Sequence, residues 1–338
     1  MKLRETLPGG PLGFGTAPLG NMFREVPDAE ALATVNAAWE AGTRFYDTAP
    51  FYGAGLSESR LGAALKGRKR SEYVLSTKVG RLILDEAEDP ATRNQGEKGD
   101  IFKHGRANKV VYDYSSDGAK KSIEGSLKRL CIDHIDFVWV HDVARDFHGD
   151  AWLSQFEAAR VGAFRALTAM REAGVIKGWG LGVNRVEPVE LALDLSADRP
   201  DATLLAGRYT LLDHGRALER LMPKAAKLGV DIVVGGPYSS GVLAGGDHFE
   251  YGPVPGDIAA KVEEIRELCG WYRISTKAAA LQFALAHPAV AAVVPGASKP
   301  ERIREDHAAL STKIPVEFWR DLRNGRLVSP NAPLPAGQ

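Results

Sequence analysis

The fold class this chain predicts is α/β, a (β/α)8 TIM barrel with long active-face loops and an extra C-terminal segment. Three observations carry that prediction. Short apolar runs alternate with helix-patterned segments along the whole sequence. The runs TRFYD, YVLSTK and IDFVWVH end on Asp47, Lys78 and His141, polar residues that can hold or move a proton. The 338 residues exceed the roughly 250 of a typical barrel, leaving room for loops on its active face.

Taken in order, PLGFGTAPL is followed by a helix predicted over 28–41, with Ala31, Ala38 and Trp39 on one side and Gly42 at its end. TRFYD is the next strand. Ser57 caps a short helix over 57–65, with Glu58 in its first turn, which leads to YVLSTK. A helix over 115–130 leads to IDFVWVH, and one over 159–173 leads to GWGLGV. Helices over 188–195, 217–228 and 275–285 lead to ATLLA, DIVVG and AAVVPG. This regular alternation favours one domain over 1–338 with a core of about 11–325, and no stretch reads as a linker. A helix over 257–270 is surplus to the repeat and is expected over the top of the barrel. The Pro-rich stretch 326–338 reads as an extended tail unless it folds over the substrate mouth. Two connections, 80–114 and 142–158, are too long to be simple turns, and both are assigned to substrate enclosure.

Composition narrows the function classes. Hydrophobic residues at 44% and charged residues at 25% are those of a globular protein. Lys+Arg and Asp+Glu are 43 each, which leaves no net field to draw nucleic acid or an anionic membrane. The basic run KGRKRSEY reads as a solvated surface loop. Cys131 and Cys269 are far apart and show no metal or redox spacing, so the expectation is no metal site and a reducing cytoplasm. MKLRETLPGG lacks a secretory apolar segment, and no apolar run approaches the roughly 20 residues of a membrane helix. A soluble monomer or small homo-oligomer is expected.

The chemistry follows from where barrel strands end. Parallel barrels gather reactive side chains at their strand C-termini, so Asp47, Lys78 and His141 converge there, with Tyr52 just beyond the first strand. Each has a structural alternative: Asp47 as a helix or turn cap, His141 as a satisfied core histidine, Tyr52 as a packing aromatic. Together they fit one mechanism. A phenol with a reference pKa of about 10 needs a nearby ammonium to ionise near neutrality, and Lys78 supplies it. The buried lysine needs Asp47 as its counter-ion. His141 orients the substrate oxygen, and Tyr52 is general acid in reduction or general base in oxidation.

In the contexts YDTAPFYG, STKVG and VWVHD, these four residues resemble the catalytic tetrad of the aldo-keto reductase family, and the resemblance runs from PLGFGTAPLG to IREDHAAL. No G-x-G-x-x-G follows the first strand, GLGVNR lacks the third glycine, and no Walker A motif occurs. The resemblance instead implies a nicotinamide dinucleotide extended across the barrel mouth. Gly15 and Thr16 would lie beside its nicotinamide half with Asp47, and Asn184 would bond the carboxamide. Gly236, Pro237, Tyr238 and Gly241 would line the pyrophosphate, and Gly296, Ala297, Ser298, Arg302, Glu305 and Asp306 the adenosine end. Gly296 and Ala297 replace a lysine and a hydroxyl residue that grip a 2′-phosphate in many family members, so NAD is favoured over NADP. Gly235 and Ala206 stand where a ring-stacking aromatic and an amide are usual, with Tyr238 or Arg208 as candidate replacements.

FREV, LLAGRYTLLD and GGPYSSGVLAGG resemble a bacterial branch of that family containing L-fucose, D-threo-aldose and pyridoxal 4-dehydrogenases. The implied reaction is oxidation of an aldose such as L-fucose or D-arabinose to its lactone, with Asn21, Met22, Phe51 and Trp152 as pocket walls. The competing functions are pyridoxal oxidation or general aldehyde and ketone reduction by the same tetrad. Two others belong to different classes: a Schiff-base aldolase using Lys78, and a non-catalytic nicotinamide-binding subunit.

Overall fold

In the computed structural model, which describes residues 2–93 and 101–336, the predicted repeat closes on itself. The strands are β1 (Phe14–Gly15), β2 (Phe45–Asp47), β3 (Val74–Ala87), β4 (Asn108–Asp113), β5 (Phe137–His141), β6 (Gly178–Val183), β7 (Ala202–Ala206), β8 (Asp231–Gly235), β9 (His248–Phe249), β10 (Gly252–Pro253) and β11 (Val290–Val294). Among the described residues, eight parallel strands run in the order β1-β2-β3-β5-β6-β7-β8-β11. Bridges Leu12–Val293 and Gly15–Gly296 join the last to the first, giving a (β/α)8 barrel.

Period-two alternation sorts each strand into a barrel-facing and a helix-facing side. Phe45, Val74, Phe137, Trp139, Leu204, Val233 and Val294 fill the barrel interior, with Leu3 plugging its N-terminal end. Their neighbours Tyr46, Leu75, Val138, Val140, Leu205 and Val234 pack outward with the helices. The inward row changes character toward the strand ends: Phe45 gives way to Asp47, Val74 to Ser76 and then Lys78, and Trp139 to His141. The apolar part of each strand therefore closes the barrel, and its last inward residue is available for chemistry.

Four expectations are corrected. The connection 80–114 is not mainly loop, because β3 continues beyond Lys78 and pairs antiparallel with β4 from Gly80–Asp113 to Ala87–Asn108. Residues 94–100 of that segment lie outside the described residues. In 142–158, short helical pieces lead into the helix Trp152–Ala159, and Phe156 turns to the core against Phe164 rather than to a substrate. The surplus helix, observed at Gly256–Trp271, buries Val262, Ile265 and Cys269 in the outer helical layer instead of crossing the top. The Pro-rich stretch has no regular secondary structure, yet Leu327, Val328 and Ala332 are buried. It is anchored by the Ser329 N–H donating to His214 Nε2 at 2.9 Å and by Arg323 donating to the Ala332 carbonyl at 2.7 Å; its last two residues, 337–338, are outside the described set.

Candidate active site

Strand register brings the reactive groups to one rim. Asp47 pairs with Ser76, Lys78 with Trp139, and His141 with Gly182 across β2, β3, β5 and β6. Gly182 makes room for the lysine stem: a Cβ there would sit 3.0 Å from Trp139 Cβ and 3.4 Å from Lys78 Cε. The Lys78 ammonium donates to Asp47 Oδ2 at 2.6 Å and to the Thr48 carbonyl at 2.9 Å. Asp47 Oδ1 accepts from Ser76 Oγ at 2.6 Å and from the Trp139 indole N–H at 2.9 Å. Both members of the pair are buried, at 2% and 3% exposure, so this hydrogen-bond saturation is what makes their burial tolerable.

Tyr52 lies in the tight turn after β2. Its backbone presses on Gly20 so closely that a Cβ there would be 2.5 Å from the Tyr52 carbonyl carbon. The Lys78 ammonium sits over the Tyr52 ring face, 4.7 Å from the centroid, and the His141 ring stands edge-on to it at 5.9 Å. The four tetrad positions are thus together.

The electrostatics of the phenol differ from the expectation. Burial, then the carboxylates of Asp47 and Asp142, push the Tyr52 hydroxyl well above its usual range. The Lys78 ammonium lies over the ring and is already paired with Asp47. Tyr52 in the free chain is therefore a held acid, not a ready base. Burial, followed by the charges of Arg81 and Lys78, keeps His141 well below the usual histidine range and hence neutral.

Two connected cavities meet at this rim. The inner one, about 60 Å³, has Tyr52, Lys78, His141, Asp142 and Asn184 among its polar lining and Met22, Phe51, Ile101, Phe102, Phe147 and Tyr251 as apolar or aromatic walls. The outer cleft, about 500 Å³, shares Met22, Tyr52, Asn184, Ala206 and Tyr251 with it and runs to Glu305 and Asp306 at the helix Pro300–Ser311. Gly15, Asp47, Asn184, Gly236, Pro237, Tyr238, Gly241, Gly296, Ser298, Arg302, Glu305 and Asp306 all line the cleft.

Four expected site residues are placed differently. Thr16 and Ala297 are fully buried behind the cleft wall, with Thr16 Oγ1 donating to the Asp47 carbonyl at 3.0 Å. Asn21 is consumed by structure: Oδ1 accepts from Arg60 at 2.7 Å and from the Val26 N–H at 3.0 Å, while its amide donates to the His104 carbonyl. Trp152 opens the helix Trp152–Ala159 and is not among the residues lining either cavity. The aromatic residue of that connection that does reach the chamber is Phe147. The proposed replacements also resolve. Tyr238 donates to Asp306 at 2.7 Å, at the far end of the cleft, and Arg208 donates to the Asn184 carbonyl at 2.7 Å, so it holds the asparagine.

Sequence reasoning missed Arg81, Asp142 and Tyr251. Arg81 had a local signal in Gly80, which has φ +101 and resets the strand alternation at the rim. Asp142 directly follows His141 but takes φ +54, a turn that no periodicity announces. Tyr251 arrives from the β9–β10 hairpin, at φ +69, and walls both cavities. The same hairpin crosses the cleft, where His248 stacks on Phe23 at 4.6 Å and Glu250 pairs with Arg208.

Comparison with known proteins agrees with this geometry. Residues 11–324 match the model of the aldo/keto reductase family. Pyridoxal 4-dehydrogenase of Microbacterium luteolum is 41% identical, with 94% of each chain covered. D-threo-aldose 1-dehydrogenase of a Pseudomonas species is 36% identical, again with 94% of each covered. Among solved structures, an aldo-keto reductase from Bacillus halodurans in its holo form superposes with a TM-score of 0.68 at 26% identity, covering 96% of this chain and 93% of that one. A closed parallel barrel with a carboxylate, a phenol, an amine and an imidazole at one rim, and a family match across nearly its whole length, lead to one conclusion: the chain belongs to the aldo/keto reductase family of NAD(P)-dependent oxidoreductases.

Proposed function

We propose that this enzyme is an NAD-dependent dehydrogenase for a compact, flat-ringed aldehyde in its cyclic hemiacetal form, of the pyridoxal type, which it oxidises to the lactone. The observation that carries the reading is the lining of the inner chamber where it adjoins the outer cleft. Its polar groups lie among Tyr52, Lys78, His141, Asp142 and Asn184, while Phe51, Phe102, Phe147 and Ile101 supply apolar walls. An aldose brings a hydroxyl on almost every carbon, and each one left without a partner on burial costs about 1–3 kcal/mol. An aromatic ring instead offers a flat apolar face to the phenylalanines. The aldose reading ranks second, supported by the 36% identical D-threo-aldose 1-dehydrogenase.

In this mechanism Tyr52 takes the proton of the hemiacetal hydroxyl, and in the reverse direction it protonates the carbonyl oxygen. Lys78, held by Asp47, stabilises the phenolate during transfer. His141 donates a hydrogen bond to the same substrate oxygen. A bound nicotinamide supplies the hydride acceptor. The residues present suit such a group: Gly236 and Gly241 line the cleft at φ +54 and +106, presenting backbone without side chains, and Asn184 reaches both cavities. At the adenosine end the cleft is lined by Glu305 and Asp306, with Lys277 paired to both, and by Arg302; the lean to NAD rests on Gly296 and Ala297, which offer no side-chain cation or hydroxyl to a 2′-phosphate. The paired ammonium of Lys78 offers no free lone pair for Schiff-base chemistry, which argues against the aldolase reading.

No helix among the described residues is long and apolar enough to cross a membrane. With Cys131 and Cys269 both free, the proposed setting is a reducing cytoplasm, with one barrel domain acting as a monomer or small homo-oligomer on a small molecule.

The test is absorbance near 340 nm with NAD or NADP and a panel of pyridoxal, L-fucose, D-arabinose and L-galactose. The expected result is a higher kcat/KM for pyridoxal with NAD than for any sugar. The reverse ranking moves the assignment to the aldose. Tyr52→Phe is expected to lower kcat by about 100-fold or more while dinucleotide binding persists; an active variant removes Tyr52 from its role.

A further inference from the structure

We propose that Arg81 and Asp142 form a buried positioning pair that fixes the tautomer of His141, with Nδ1 as acceptor and Nε2–H as the donor presented to the reacting oxygen. The inference rests on the reading of His141 as the group that hydrogen-bonds that oxygen.

A guanidinium carries five N–H donors and no acceptor. Arg81 Nη1 lies 3.0 Å from His141 Nδ1, so that nitrogen must offer its lone pair. On the other ring nitrogen, Asp142 Oδ2 lies 3.3 Å from Nε2 but makes no hydrogen bond to it, so its charge favours an N–H there while leaving that N–H for the reacting oxygen. The opposite tautomer would set N–H against N–H on one side and a lone pair against a carboxylate on the other. An imidazolium would keep the first conflict. Both contacts select the same neutral form, and they are coupled, because Arg81 Nη1 also donates to Asp142 Oδ2 at 2.7 Å.

The pair is built to stay in place. Arg81 is 2% exposed and is not among the residues lining either cavity, so it acts through His141 rather than on substrate. Its guanidinium is stacked by Phe51 at 4.1 Å, Tyr112 at 4.7 Å and Phe147 at 4.9 Å, and donates to the Tyr112 hydroxyl at 3.2 Å. Asp142 is aimed by its left-handed backbone, with its N–H bonded to the Gly182 carbonyl at 3.0 Å. The other titratable groups around the imidazole are Lys78, Tyr52 and Tyr251 on the chamber side and Tyr114, whose hydroxyl donates to the His141 carbonyl at 2.8 Å. None of these touches Nδ1 in place of Arg81. A donor-only His141 leaves Tyr52 as the carrier of the transferred proton.

The experiment is nitrogen-15 spectroscopy of the histidine rings, with His141 assigned by its loss in His141→Asn. Wild-type protein is expected to show an unprotonated Nδ1 and a protonated Nε2 from pH 5.5 to 8. A protonated Nδ1 overturns the proposal without any variant of Arg81 being needed. Arg81→Met is expected to release the ring into mixed tautomers, to introduce an acid limb in the kcat profile, and to lower kcat between about 10- and 100-fold with little change in dinucleotide KM. Arg81→Lys, which keeps a donor without an acceptor, is expected to recover part of the loss. An Arg81→Met protein with the wild-type ring spectrum and a pH-independent loss would show a merely structural role. A fully active His141→Asn would instead sink the functional reading while the ring spectrum still judged the tautomer.

Discussion

Two buried ion pairs lie beside the Tyr52 phenol, and they are built differently. In Lys78–Asp47, both carboxylate oxygens and the ammonium are occupied by neighbours within 2.9 Å, from Ser76, Trp139 and Thr48. In Arg81–Asp142, the cation is caged by aromatic faces, and burial pushes the carboxyl up to about 6 although Arg81 pulls it down. The first pair is held in place by saturated hydrogen bonding. The second sits at the edge of its titration, next to a histidine that must stay neutral. Burial alone does not decide what an ion pair does; the number of donors around its carboxylate does.

Breaking the first pair should have the largest effect. Lys78→Met leaves Asp47 buried without its cation, so a loss of about 3–5 kcal/mol in stability is expected together with near-complete loss of turnover, read by thermal melts and kcat. A stable, active variant would mean that the pair is dispensable. A milder break is Trp139→Phe, which removes one N–H from Asp47 and leaves Lys78 in place. The expected cost is about 1.5–3 kcal/mol, with kcat reduced far less than in Lys78→Met.

The second pair is sharpened by pH. The Asp142 carboxyl is at about 6 in the fold against 3.8 for the ordinary group, so folding takes up a proton between those values. Its contribution to stability therefore falls as pH rises through that window and is level above it. Asp142→Asn removes the slope. The melting temperature of the variant relative to wild type should rise between pH 4.5 and pH 6.5, and a constant difference would refute the upward shift. The smallest effect concerns the phenol: because Tyr52 holds its proton above the usual range, oxidation should keep accelerating with pH through 9 without the plateau that a lowered phenol would give.

Much of the candidate site was legible because it depends on local order. Phe45–Asp47, Val74–Lys78 and Trp139–His141 each show an apolar interior residue followed, two or four positions on, by a polar one, and a strand's parity keeps these on one face. The loops were less legible. Trp152 and Phe147 belong to one connection and are equally aromatic, yet only Phe147 is among the residues lining the chamber. Asn21 looked like a pocket residue, but Arg60, thirty-nine positions away, claims its side chain.

The order of residues was enough to specify the barrel and the rim where Asp47, Tyr52, Lys78 and His141 meet, since alternation and the polar ends of strands are properties of neighbouring residues. It took the folded chain to place Arg81 and Asp142 against His141, Tyr251 at the chamber wall and Lys78 over the ring of Tyr52. Those facts depend on closure of the barrel, on the β3–β4 hairpin and on left-handed turns at single residues. They set distances between groups far apart in the chain, and both tautomer and acidity follow from distance.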